Sequence, residues 1–78
     1  MNADERRFLE RVGDRVRERR QAAGLTQAAL GAKCGLHRTF VGSVERGERN
    51  LALLSLRKIA NALRTTPAAL LGGPPADR

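Results

Sequence analysis

The sequence has one cysteine, one histidine, two phenylalanines, and neither tryptophan nor tyrosine. A single cysteine excludes a disulfide framework within the chain. One cysteine with one histidine excludes a zinc finger or a Cys/His metal cluster. No run approaches the roughly 20 consecutive apolar residues of a membrane-spanning helix. The opening stretch, Met1-Asn-Ala-Asp-Glu-Arg-Arg7, is charged and leads into no apolar signal core. Strand signals are weak, because no segment alternates apolar and polar residues between hairpin dipeptides. Enzymatic patterns are missing as well: no paired-carboxylate pocket, no nucleophile–base constellation, and no glycine-rich phosphate loop after a strand. No catalytic residue, metal or cofactor is therefore expected. With no leader segment in view, and with Cys34 free in an apolar context, the expected location is the reducing cytoplasm.

What the sequence has in excess is positive charge. Fifteen Lys and Arg stand against eight Asp and Glu, a formal net charge of +7, and thirteen of the fifteen are Arg. On a small domain this points to a polyanionic partner, nucleic acid ahead of an anionic membrane surface. The 78 residues allow one domain, and the 41% hydrophobic content supplies a core of mainly Leu, Val, Ile and Ala.

Hydrophobic spacing divides the chain into five helical segments. The first runs from about Asp4 to Ala23, with Leu9, Val12, Val16 and Ala23 on one face. Asp4 and Glu5 open it, Arg19 and Arg20 close it, and both suit the helix dipole. Gly13 weakens its middle and Gly24 follows as a left-handed stop. The second segment, Thr26 to Cys34, has Thr26 as N-cap and Gly35 as stop. The third, about His37 to Arg46, starts from a cap position held by histidine. Its Val41 and Val44 face inward with Leu36. Arg38, Thr39, Gly42, Ser43 and Arg46 are expected to face outward. The fourth, about Leu53 to Leu63, places Leu53, Leu56, Ile59, Ala60 and Leu63 on one face. The fifth is short: Thr66 caps it and Pro67 takes the first helical position. Residues 4–71 are thus expected to form an all-α domain, and residues 72–78 a disordered tail.

Segments two and three, joined by Gly35 and Leu36, have the spacing of a helix-turn-helix. The first helix is short enough to let the second protrude. Glycine supplies the left-handed turn residue. The second helix has an apolar inner face and a polar outer one near its N-terminus, where the dipole favours phosphate.

The run Arg17-Glu-Arg-Arg-Gln-Ala-Ala-Gly-Leu-Thr-Gln-Ala-Ala-Leu-Gly-Ala-Lys-Cys-Gly-Leu36 resembles the opening of the phage-repressor/Cro-like (Xre) helix-turn-helix family. Val44-Glu-Arg-Gly-Glu-Arg49 and Leu56-Arg-Lys-Ile-Ala-Asn-Ala-Leu63 resemble the rest of that domain. Within the family, residues 37–50 are most similar to the controller proteins of restriction–modification systems. The resemblance implies a five-helix, lambda-repressor-like domain that binds double-stranded operator DNA as a symmetric homodimer and regulates transcription. A generic phage-like repressor or an antitoxin is the neighbouring alternative. Carried over position by position, it implies base contacts from Arg38, Thr39, Ser43 and His37. Gln27, Arg46, Arg49 and Asn50 would contact the DNA backbone, and Arg20 and Glu45 would form an internal salt bridge. Gly42 and Ala52 depart from the family pattern. Larger residues are common at the first position, and a capping Ser or Thr at the second.

Several of these positions have a plainer reading. Thr39 and Ser43 have an equal alternative in bonds within their own helix, and Phe40 fits either core packing or a thymine methyl. Cys34 reads as core filler. The charged face of the first helix reads as solvated, since Arg11 and Arg15 have acidic neighbours. A basic protein-interaction or membrane-surface module is the competing class. It would need bases beside large exposed apolar residues, whereas the apolar face of the first helix has core spacing. With no sensor domain, no small-molecule ligand is expected. Leu51 and Leu54 fall off the inner face of the fourth helix. With Leu70 and Leu71 they are the expected dimer contacts.

Overall fold

A computed structural model describes residues 1–73. Five helices follow one another: α1 (Ala3–Ala22), α2 (Gln27–Cys34), α3 (Arg38–Glu45), α4 (Leu53–Ala62) and α5 (Pro67–Leu70). There is no strand among the described residues, and none of the helices is long and apolar enough to cross a membrane.

The helix ends follow from local chemistry. Asn2 and Glu5 form a reciprocal capping box that starts α1 one residue before the expected Asp4. Thr26 and Thr66 accept hydrogen bonds from the backbone N–H groups of Ala29 and Ala69. Ala52 offers α4 no side-chain cap. The end of α5 is closed by Gly72 and Gly73, whose N–H groups reach back to the carbonyls of Ala69 and Ala68. Of the tail expected over residues 72–78, residues 74–78 lie outside the described residues.

Val16, Leu30, Val41, Ile59 and Leu70 are the largest fully buried side chains, one from each helix. α2 packs on α3 and α4, α1 on α3 and α5, and α4 on α5. Arg15, expected on a solvated face, instead donates from Nη1 to the Leu70 carbonyl at 3.3 Å and ties α1 to the end of α5.

Two leucines depart from expectation. Leu53 is 82% exposed, although its helical period puts it on the inner face of α4. It occupies the first turn of α4, ahead of Leu56, where the helix has not yet reached the core. Leu70 is fully buried and cannot serve as a dimer contact. The three residues Arg64 through Thr66 turn α5 back against the core and point Leu70 inward. Arg64 adopts a left-handed backbone (φ 57°) to make that turn.

Candidate nucleic-acid interface

The joint between α2 and α3 is tight. Gly35 is left-handed (φ 72°, ψ 28°), and the Leu36 N–H returns to the Gly31 carbonyl at 2.9 Å. A Cβ at Gly31 would run into the Leu36 carbonyl oxygen, so this helix position requires glycine for close approach. His37 then caps α3, its Nδ1 accepting from the Thr39 N–H at 3.1 Å. The same nitrogen lies 2.8 Å from the Thr39 hydroxyl. With Nδ1 accepting, the ring proton sits on Nε2 and the Thr39 hydroxyl is the donor of the shorter contact. His37 is therefore a working N-cap that also sets which way Thr39 directs its proton.

Arg38 and Thr39 are exposed on the first turn of α3, and Arg46, Arg49 and Asn50 are exposed in the segment that follows it. Ser43, expected to face outward, is 7% exposed. Its hydroxyl donates to the Phe40 carbonyl at 2.7 Å and accepts from Arg49 Nε at 3.1 Å. The chain after α3 folds back over this position, which leaves Ser43 no free proton for a base edge. Gly42 is buried as well. A Cβ there would come within 3.3 Å of Gln27 Oε1 and 3.2 Å of Arg46 Nη1. The departure from the family pattern thus makes room for the Gln27 side chain to cross α3.

Gln27 crosses it to reach Glu45, donating from Nε2 to Oε1 at 3.1 Å. Arg20 holds the same carboxylate with both edges of its fork, Nε to Oε2 at 2.5 Å and Nη2 to Oε1 at 3.0 Å. Its Nη1 donates to the Leu25 carbonyl at 2.9 Å. Glu45 is 3% exposed, yet its carboxylate receives three donors. One arginine and one glutamine therefore pin the end of α1, the start of α2 and the end of α3 together. The bond to Glu45 raises the Arg20 guanidinium above its usual value, against a smaller opposing effect of burial.

Gly13 lies under this junction. A Cβ there would strike the carbonyl oxygens of Val44 and Glu45, so α1 and α3 touch backbone to backbone. Sequence spacing registers Gly13 only as a weak helix former. A glycine beside Val12 and Val16, inside an otherwise regular helical period, is the signal the sequence carries.

The segment after α3 is organised by its own contacts. Arg46 Nε donates to Glu48 at 3.1 Å. That bond draws the Glu48 carboxyl below its usual range and raises Arg46, though both are exposed. Glu48 did not figure among the expected site residues. The alternation Glu45-Arg-Gly-Glu-Arg49 was its only trace in the sequence. The Arg49 guanidinium lies over the Phe40 ring, 5.3 Å from its centroid. Gln27, Arg46, Arg49 and Phe40 thus gather around the buried Gly42 and Ser43, with Arg38 and Thr39 exposed on the turn ahead of them. Cys34 is apart from it, buried, its thiol donating to the Leu30 carbonyl and pushed up in pKa by burial.

The helix-turn-helix family profile matches residues 16–70. Control protein C.SmaI of Serratia marcescens is 45% identical over 60 residues, covering 77% of this chain and 71% of that protein. The crystal structure of the restriction–modification controller protein C.AhdI from Aeromonas hydrophila superposes with a TM-score of 0.77 at 47% identity. That match covers 80% of this chain and 94% of the other. The P22 c2 repressor, bound to a synthetic operator, superposes at 0.76 with 33% identity, over 81% of this chain and 96% of the repressor.

Proposed function

Because the chain belongs to the helix-turn-helix family, we propose that it is a restriction–modification controller: a DNA-binding transcription regulator, not an enzyme, that acts on its operator in the cytoplasm. The observation that carries this is the protruding first turn of α3. It exposes Arg38 and Thr39 while Gln27, Arg20 and Glu45 hold the helix from behind. Identity to controllers at 45% and 47%, against 33% to the phage repressor, supports the controller reading over the generic repressor.

Base contact belongs to Arg38 and Thr39, with His37 setting the hydroxyl of Thr39. An arginine fork matches the O6 and N7 acceptors of guanine in the major groove. Arg46, Arg49 and Asn50 hold the backbone, and Gln27 has a second amide hydrogen for the same purpose beyond the one bound to Glu45. Ser43 is removed from the reading set by its burial.

One recognition helix of eight residues buries too little to select a single genomic site. The working unit is a homodimer, whose two recognition helices lie ~34 Å apart, one turn of DNA. Leu53, Leu54 and Leu71 are 82%, 66% and 44% exposed, and Leu51 is half-buried beside them. A groove of about 270 Å³, lined by Phe8, Leu51, Leu53 and Leu71 among others, runs through this surface. An apolar cluster of this kind on so charged a protein needs a partner.

Fluorescence anisotropy and sedimentation test this together, with a duplex enriched from a random pool and a scrambled control. The parent is expected to sediment as a dimer at micromolar concentration and to favour the enriched duplex. Leu54→Glu is expected to sediment as a monomer and to bind that duplex ~100-fold or more weakly, because the second half-site no longer contributes. A monomeric parent, or a variant that dimerises unchanged, would remove this interface.

A further inference from the structure

Arg49 lies outside the recognition helix and is exposed, yet two contacts hold it. Its guanidinium stacks on the Phe40 ring at 5.3 Å. Its Nε donates to the Ser43 hydroxyl oxygen at 3.1 Å. That hydroxyl has one proton and directs it to the Phe40 carbonyl at 2.7 Å, which leaves its lone pairs facing Arg49. The segment is also anchored two residues earlier. Gly47 turns left-handed (φ 75°), and a Cβ on it would strike the backbone of Glu10.

We infer that Phe40 and Ser43 are positioning residues for Arg49, holding its guanidinium pre-formed for a DNA phosphate and in register with the base-reading turn of α3. The inference rests on the reading of Arg49 as a backbone contact. One face of the guanidinium and its Nε edge are occupied by α3. The paired Nη1 and Nη2 donors have no hydrogen-bond partner among the described residues, and this is the edge that matches two phosphate oxygens. A free arginine would lose rotamer freedom on docking. Here that freedom is already lost in the unbound protein, so the loss does not weaken binding. Phe40 directly follows Thr39, and Ser43 follows it by one turn, on the same helix. A shift of the reading helix therefore carries the phosphate contact with it.

The experiment is a double-mutant cycle by anisotropy on the enriched and the scrambled duplex. Ser43→Ala and Phe40→Leu are made in the parent and in the Arg49→Ala and Arg49→Lys backgrounds. Leucine keeps the apolar volume that packs against the core but removes the π face. Each single change is expected to weaken both duplexes alike, by about 2- to 10-fold. In the Arg49→Ala background the same changes are expected to have no further effect, and in the Arg49→Lys background a smaller one, since an ammonium keeps the attraction to the ring but lacks the planar fork. In the free protein, the ¹H–¹⁵N signal of Arg49 Nε is expected to be displaced by the Phe40 ring and to move toward the free-arginine position in both variants. An undiminished loss of affinity in the Arg49→Ala background would overturn the inference, because the two residues would then act elsewhere. An Arg49 Nε signal at the free-arginine position in the parent would overturn it independently. If Arg49→Ala itself leaves both duplexes unaffected, the backbone-contact reading fails first, and the inference fails with it.

Discussion

Replacing Glu45 with alanine is expected to destabilise the domain by about 3 kcal/mol or more. The carboxylate is 3% exposed and receives three donors from two side chains. Without it, the Arg20 guanidinium stays in place at 12% side-chain exposure, with the Leu25 carbonyl as its one remaining acceptor. An unpaired charge at this largely enclosed site costs more than a surface ion pair is worth, which is about 0–1 kcal/mol. For a domain of this size each kcal/mol moves the melting temperature by about 4–8 °C, so a fall of more than ~10 °C follows. Glu45→Gln should fall between, because it keeps one acceptor oxygen and loses the charge. Thermal melts followed by circular dichroism check the order parent, Gln, Ala. A change below ~1 kcal/mol for alanine would show that the pair behaves as an exposed one. The pH dependence follows from the raised pKa of Arg20. A base whose folded value is raised contributes fully below its unfolded value, and the contribution is lost only as pH rises through the folded one. For an arginine both lie beyond the working range, so this contribution stays constant through neutral and moderately alkaline pH.

The second large effect reverses an ordinary rule. In a solvated helix, glycine to alanine stabilises by up to about 1 kcal/mol. Gly13→Ala is expected to destabilise by about 1–3 kcal/mol, and Gly13→Val by more. The added carbon meets backbone carbonyls of α3, which cannot rotate away as a side chain does. α1 and α3 must separate, loosening the junction that Arg20 closes. Urea unfolding measures the change, and a rise in stability for Gly13→Ala would contradict the contact. Affinity for DNA should fall in step, because α3 is the helix displaced.

The parts of this architecture that sequence made legible are the local ones. Thr26, Thr66 and Gly35 act within a few residues of themselves, so their roles follow from chain chemistry alone. The pairing of Arg20 with Glu45 spans 25 positions, and it came through the family resemblance rather than through spacing. What stayed hidden depends on a neighbour from elsewhere in the chain. By helical period Ser43 faces outward, until the segment carrying Arg49 folds over it. Gly42 looks like a missing reader until Gln27 is seen lying across it. Leu53 shares the period of the α4 core face but sits a turn short of the core. Leu70 belongs to a helix of four residues, too short to display a face at all. The Asn2 capping box was legible in principle, but placing the helix start at Asp4 put it out of register.

On the proposed reading, one turn of α3 reads bases while the segment after it grips phosphate. Salt-titrated anisotropy of Arg38→Ala beside Arg49→Ala tests it most directly, on the enriched duplex, single-base variants of it and the scrambled control. Arg38→Ala should lose about 1–3 kcal/mol of discrimination at one base pair and leave the scrambled duplex nearly unaffected. Arg49→Ala should weaken every duplex alike and lower the slope of log affinity against log salt by about one unit. Equal, sequence-independent losses for both variants, or a parent that binds all duplexes with one affinity, would contradict it.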